Sequence, residues 1–260
     1  MSRTFLAILQ FNGSDFVGWQ RQKVGRSIQG EFETVLERLC GSRVPVFAAG
    51  RTDAGVHARG MGVSLTLPAR WTSEPLRRAL NALLPEDCWI ERMHEMMLGF
   101  HARKSALARR YHFLIGTDEA SASPFRHPYE WSLGRALDRE ALAEAAGALT
   151  GLHDFRAFAA KGEAKPHYRC DVRVARWTDR PDGAGVRFEI EADRFLHHMV
   201  RFLVGTMVDI GLGRRPVADM QVLLARSDNN GTSPPAPPEG LYFIAAEYPK
   251  ACFIDPHEVT

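Results

Sequence analysis

The stretch of this chain best suited to chemistry is Ala48-Ala49-Gly50-Arg51-Thr52-Asp53-Ala54-Gly55-Val56-His57-Ala58. One carboxylate stands between two glycines, with an arginine two residues before it and a histidine four residues after it. Gly50 and Gly55 can take positive φ without steric cost, which suits a tight loop that presents one acid. Arg51 close to Asp53 would favour the ionised carboxylate, because a nearby opposite charge stabilises the charged form. An ionised aspartate in a cleft is a nucleophile or a base. The same residues also suit a plain hairpin loop whose Asp and Thr side chains bond their own backbone. A phosphate loop is excluded, since Val56-His57 follows where Lys-Ser/Thr is required.

A second group runs from Phe100-His101-Ala102-Arg103-Lys104-Ser105-Ala106 to Arg109-Arg110-Tyr111-His112-Phe113. Strand alternation puts Tyr111 with Phe113 and Ile115 on one face. There Tyr111 is either a core tyrosine or a ring facing a cleft, able to stack on a planar base. The third group is Arg194-Phe195-Leu196-His197-His198-Met199-Val200-Arg201-Phe202-Leu203-Val204-Gly205. Read as a helix from Phe195 to Ile210, it puts Arg194, His197, His198 and Arg201 on one side, in apolar surroundings. A guanidinium buried there needs a carboxylate partner, and Asp53 is an attractive one. Adjacent histidines on a helix do not converge, so His197-His198 is a weak metal pair.

The chain has 260 residues, 45% hydrophobic and 25% charged, which describes an ordinary globular protein with room for one large or two small domains. Neither a signal peptide nor an apolar run of about 20 residues is found, so the expected location is the cytoplasm, with no membrane partner. Cys40, Cys88, Cys170 and Cys252 are widely spaced and read as reduced thiols. No metal-binding spacing is present among the histidines and cysteines, so a metal enzyme is not expected. Net charge is only +2, yet 28 of the 33 basic residues are Arg, which suits phosphate contacts and base stacking. Genome composition gives the same bias. Local clusters carry more information: Arg21, Lys23 and Arg26; Arg103, Lys104, Arg109 and Arg110; and Arg214-Arg215.

Periodicity supplies the elements that must position these groups. A buried strand is expected over residues 4–11, then a helix capped by Ser27 and ended by Gly41. A short strand from Arg43 to Ala48 leads into the Asp53 loop. Met61, Val63, Leu65 and Leu67 alternate as the next strand. Ser73 caps a second helix stopped by Pro85, and Trp89 to Met96 forms a fourth strand. That order, β-α-β-β-α-β, is ferredoxin-like. The second half repeats the order without repeating the sequence. It has a strand at Tyr111–Ile115, a helix capped by Asp138, and a hairpin around Asp179–Gly183. The long helix, a shorter one near Ala218–Ala225, and a strand from Gly240 follow. Ser233–Pro238 is an extended loop. The fold class is therefore α+β: two ferredoxin-like units, 1–104 and 105–260, forming a mixed, mainly antiparallel sheet with a central cleft.

Beyond these elements, Gly50-Arg51-Thr52-Asp53-Ala54-Gly55-Val56-His57-Ala58 resembles the signature of the TruA family of tRNA pseudouridine synthases. The resemblance extends from Phe11 to Tyr248. It takes in Phe11-Asn12-Gly13, Gly18-Trp19-Gln20-Arg21-Gln22, Asn81-Ala82-Leu83-Leu84-Pro85, Phe100-His101-Ala102-Arg103 and Arg109-Arg110-Tyr111. Later stretches are His153-Asp154-Phe155, the Arg201 segment and Pro238-Glu239-Gly240-Leu241-Tyr242. Ala160 to Tyr168 matches only loosely. The resemblance implies that Asp53 is the catalytic nucleophile and that Arg201 is its ion-pair partner. It also implies that Tyr111 packs on the target uracil and that Arg51 helps take that base out of the stack. The implied substrate is the anticodon stem-loop of tRNA, the implied assembly a homodimer, and the implied reaction an isomerisation of uridine without cofactor. Two other readings are set against it: an RNA-binding helper that does not use the chemistry, and an acid–base enzyme that uses Asp53 with His57 on a small molecule.

Overall fold

A computed structural model describes residues 2–160, 167–226 and 228–255, so most of the loosely matching stretch, residues 161–166, lies outside the described residues. In chain order the elements are β1 (Ser2–Phe11), α1 (Ile28–Cys40), β2 (Phe47–Ala48), β3 (His57–Pro68), α2 (Ser73–Asn81) and β4 (Cys88–Met96). Then come β5 (Ala108–Gly116), β6 (Trp131–Ser132), α3 (Arg139–Gly147), β7 (Gly151–Asp154), β8 (Arg169–Asp179) and β9 (Gly185–Ala192). α4 (Met199–Gly211), α5 (Asp219–Leu224) and β10 (Leu241–Glu247) complete the chain. The fold is α+β, with mainly antiparallel strands, as the alternating patterns predict. Two compact units are present: residues 1–109 with 242–260, and residues 110–241. Among the described residues no helix is long and apolar enough to cross a membrane.

In the first unit the strands run in the order β4-β1-β3, with β2 and β10 both on the far edge of β3. β1 is antiparallel to β3 and to β4, with Ala7 opposite Val63 on one side and Met93 on the other. This is the split arrangement that β-α-β-β-α-β order produces. Phe5, Leu9, Met61, Val63, Leu65 and Ile90 are buried with Ile28, Phe32 and Leu36 of α1 and Leu76 and Leu80 of α2. The Ser27 hydroxyl accepts from Gly30 N at 3.2 Å and starts α1, and Gly41 ends it in the left-handed region. α2 departs from expectation. Thr72 is its N-cap, Ser73 is its first residue, and it ends at Asn81 before Pro85 is reached. Asn81 turns its amide onto both backbone groups of Ile90 at 2.8 Å, which ties the helix end to β4.

In the second unit the order is β5-β9-β8-β7, with β6 parallel to β5. Phe113, Ile115, Phe188, Ile190 and Val172 form the inner face under Leu142, Ala145 and Ala146 of α3 and Leu203, Val204 and Met207 of α4. Asp138 caps α3 through Glu140 N and Ala141 N. The β8–β9 hairpin turns at the expected place. The long helix does not begin at Phe195. It begins at Met199, and the preceding residues form a turn with His198 in the left-handed region at φ 60°.

Candidate active site

Asp53 lies half-buried on the loop between β2 and β3. That loop is held by backbone groups of the segment after β1. Trp19 N donates to Thr52 O at 3.0 Å, and Gly55 N donates to Phe16 O at 3.3 Å. Within the loop, Val56 N donates to Asp53 O at 3.2 Å. The approach is so close that a Cβ on Gly13 would lie 2.0 Å from Val56 O, with no flexible side chain to yield. Phe11-Asn12-Gly13 and the Asp53 signature are therefore two sides of one contact. Gly55 takes positive φ, at 77°, as the loop requires, whereas Gly50 does not.

His57 is buried at the start of β3. Its Nδ1 accepts from Gly13 N at 3.1 Å, and its ring stacks on Tyr242 with centroids 4.8 Å apart. An imidazole nitrogen that accepts an N–H carries no proton, so the neutral ring holds its proton on Nε2. The geometry makes His57 a clamp between the two loops, which disfavours its use as a base beside Asp53. Arg51 is exposed and forms no ion pair with Asp53 among the described residues. The local pairing expected from the sequence is absent.

The basic residues divide by partner. Arg26 donates to Asp87 at 2.5 and 2.9 Å and to Glu31 at 2.8 Å, and its guanidinium lies 4.2 Å from the centre of the Phe16 ring. The Asp87 carboxylate holds its pKa above the usual arginine value. Arg21 pairs at 3.0 Å with Glu33, which is buried. Arg109 donates to three backbone carbonyls, those of Ala49, Ala106 and Arg103. Arg110 pairs with Glu191 at 2.6 Å. By contrast, Lys23, Arg103 and Lys104 are exposed, without an ion pair among the described residues. Burial and the charge of Lys104, then Arg103, push the neighbouring His101 imidazole below its ordinary pKa.

In the second unit Tyr111 is buried on β5, with its ring edge-on to Phe195 at 5.0 Å. Before α4, His197 and His198 bring their ring centroids within 4.0 Å of each other. A helix would have held adjacent side chains apart, and the positive φ of His198 is what the sequence did not signal. Arg201 is half-buried in the first turn of α4. Its Nε donates to Ala236 O at 2.7 Å, and its carbonyl accepts from Ala236 N at 2.9 Å. One turn on, a Cβ at Gly205 would lie 2.1 Å from Pro234 O. The extended Ser233–Pro238 loop thus lies along α4 and fixes the Arg201 side chain from one side.

Comparison with known proteins adds to this geometry. A family described as tRNA pseudouridine synthase matches residues 7–103 and 145–249. Those residues include Asp53 and Arg201 but not Tyr111. The tRNA pseudouridine synthase A of Geobacillus kaustophilus is 37% identical over 266 residues, 98% of each chain. That of Moorella thermoacetica is 39% identical over 242 residues, covering 92% of this chain and 97% of the relative. That of Thermus thermophilus is 39% identical over 251 residues, covering 95% of this chain and 98% of the relative.

Proposed function

The chain belongs to the family of tRNA pseudouridine synthases, and we propose that it isomerises uridine to pseudouridine in the anticodon stem-loop of tRNA with Asp53 as its nucleophile. In this isomerisation the bond between C1′ and the uracil N1 breaks, the ring turns, and C5 bonds to C1′. One proton leaves C5 and one is gained at N1, so nothing is oxidised and no co-substrate is consumed. The observation that carries the assignment is the fixed presentation of Asp53 on a loop bonded along its backbone to residues 16–19. A nucleophile acts efficiently only when its position is set before the substrate arrives.

The other roles belong to the same proposal. Arg201 is the ion-pair partner of the Asp53 carboxylate. The Tyr111 ring packs on the target uracil, and Arg51 helps hold that base out of its stack, a step that costs a few kcal/mol. Exposed Lys23, Arg103 and Lys104 contact phosphate, and the ion-paired Arg21, Arg26 and Arg110 lie along the same RNA path, whereas Arg109, grouped with them in the sequence, gives its guanidinium to backbone carbonyls. The protein acts in the cytoplasm as a homodimer whose two subunits share one tRNA.

Pseudouridine mapping on an unmodified tRNA transcript tests this reading. Wild-type protein is expected to modify the anticodon arm, and Asp53→Ala is expected to leave it unmodified while still binding tRNA. Modification by the Asp53→Ala protein would overturn the role of Asp53. Binding without modification by wild type would favour an RNA-binding helper.

A further inference from the structure

Arg109 stands beside Arg110 in a basic cluster, yet its guanidinium is turned inward. Nε donates to Ala49 O at 3.2 Å, Nη1 to Ala106 O at 3.1 Å and Nη2 to Arg103 O at 2.5 Å. Ala49 is the residue between β2 and the Asp53 loop, and its own N donates to Gly62 O on β3 at 2.8 Å. Arg103 and Ala106 belong to the turn that displays Arg103 and Lys104 to solvent. Two further contacts join that turn to the strands flanking the Asp53 loop. Ala102 N donates to the Ser64 hydroxyl of β3 at 3.0 Å, and the His101 ring lies 4.6 Å from the Phe47 ring of β2.

From this arrangement we propose that Arg109 is a positioning residue for the reaction: it locks the Arg103–Lys104 turn to the base of the Asp53 loop. The proposal rests on the reading of Asp53 as nucleophile. Each of the three guanidinium nitrogens donates to a carbonyl oxygen; a lysine ammonium also has three donors, but all on one nitrogen, so it does not reproduce this planar fork. RNA phosphates that engage Arg103 and Lys104 therefore pull on a turn rigidly joined to the loop that carries the carboxylate. Displacing a reacting group by about 1 Å costs on the order of 100-fold in rate. The effect of losing the fork falls on the chemical step.

The charge-retaining Arg109→Lys variant separates positioning from phosphate binding. Single-turnover rates at saturating enzyme, normalised to the fraction competent to bind tRNA, are expected to fall about 10- to 100-fold. The tRNA Kd and its salt dependence are expected to stay within about twofold of wild type. Hydrogen exchange across residues 49–56 is expected to speed up in the same variant. Weaker tRNA binding, with an unchanged single-turnover rate and unchanged exchange, would make Arg109 an RNA contact and overturn the proposal. So would wild-type behaviour in all three measurements. If Arg109→Lys does not fold, Arg109→Gln, which keeps one donor group, is read by the same criteria. Wild-type protein in the same assay tests the underlying reading: without product from it, the assignment of Asp53 fails, and the exchange measurement alone still decides whether Arg109 holds the loop.

Discussion

At the scale of single residues, Asp53 and Tyr111 are each held in place by their neighbours. Tyr111 is packed edge-on against Phe195, so its ring is fixed by an aromatic contact that needs no hydroxyl. Tyr111→Phe is therefore expected to keep the fold and to retain activity within about tenfold, roughly the value of one hydrogen bond. Tyr111→Ala removes a buried ring and is expected to cost about 3–5 kcal/mol of stability along with most activity. Pseudouridine formation and thermal unfolding on both variants check this, and equal activities would mean the ring face is not what matters. Beside Asp53, the Thr52 hydroxyl is buried without a hydrogen-bond partner among the described residues. Such a group costs about 1–3 kcal/mol, so Thr52→Val is expected to match or exceed wild-type stability. A clear loss of stability on denaturant unfolding would contradict that.

At the scale of elements, the Asp53 loop is shaped by contact with residues 13–19 more than by its own turn chemistry. A methyl group at Gly13 would meet the Val56 carbonyl, and relieving that overlap must push the two segments apart. Gly13→Ala is expected to cost about 1–3 kcal/mol, as overpacking does, and to lower the turnover rate more than tRNA affinity. An active, stable Gly13→Ala protein would show that the loop does not need this approach. The same comparison explains what could be read from the chain. Helix caps at Ser27 and Asp138, the buried apolar run of β1, and strand alternation in β3 and β5 are local patterns, and the elements follow them. The start of α4 was not legible: apolar spacing continues back through Phe195, and nothing marks His198 as the residue that takes positive φ. The Asp53 loop was legible as a motif. Its fastening was not, because Gly13 and His57 meet across 44 residues and no periodicity reports such a contact.

At the scale of the whole molecule, a chain of net charge +2 has little long-range attraction for a polyanion, so RNA affinity must come from cations not already neutralised. Sequence clustering cannot distinguish them, since Arg26 finds Asp87 only 61 residues away in the chain. The structure makes the distinction. Arg21, Arg26 and Arg110 are matched with carboxylates, whereas Lys23, Arg103 and Lys104 are exposed without an ion pair among the described residues. A lysine that reaches a phosphate releases its condensed counterion, so Lys23→Ala and Lys104→Ala are each expected to lower the slope of log K against log salt by about 0.7–0.9. Arg26→Ala should act differently: it unties the loop from Asp87 and Glu31, costs about 1–2 kcal/mol of stability, and leaves the slope nearly unchanged. Filter binding of tRNA over a range of salt, beside thermal unfolding of each variant, separates the two groups. If Arg26→Ala lowers the slope as much as Lys104→Ala while remaining folded, then RNA displaces the Asp87 pair on binding, and the intramolecular ion pairs do not decide which cations the nucleic acid meets.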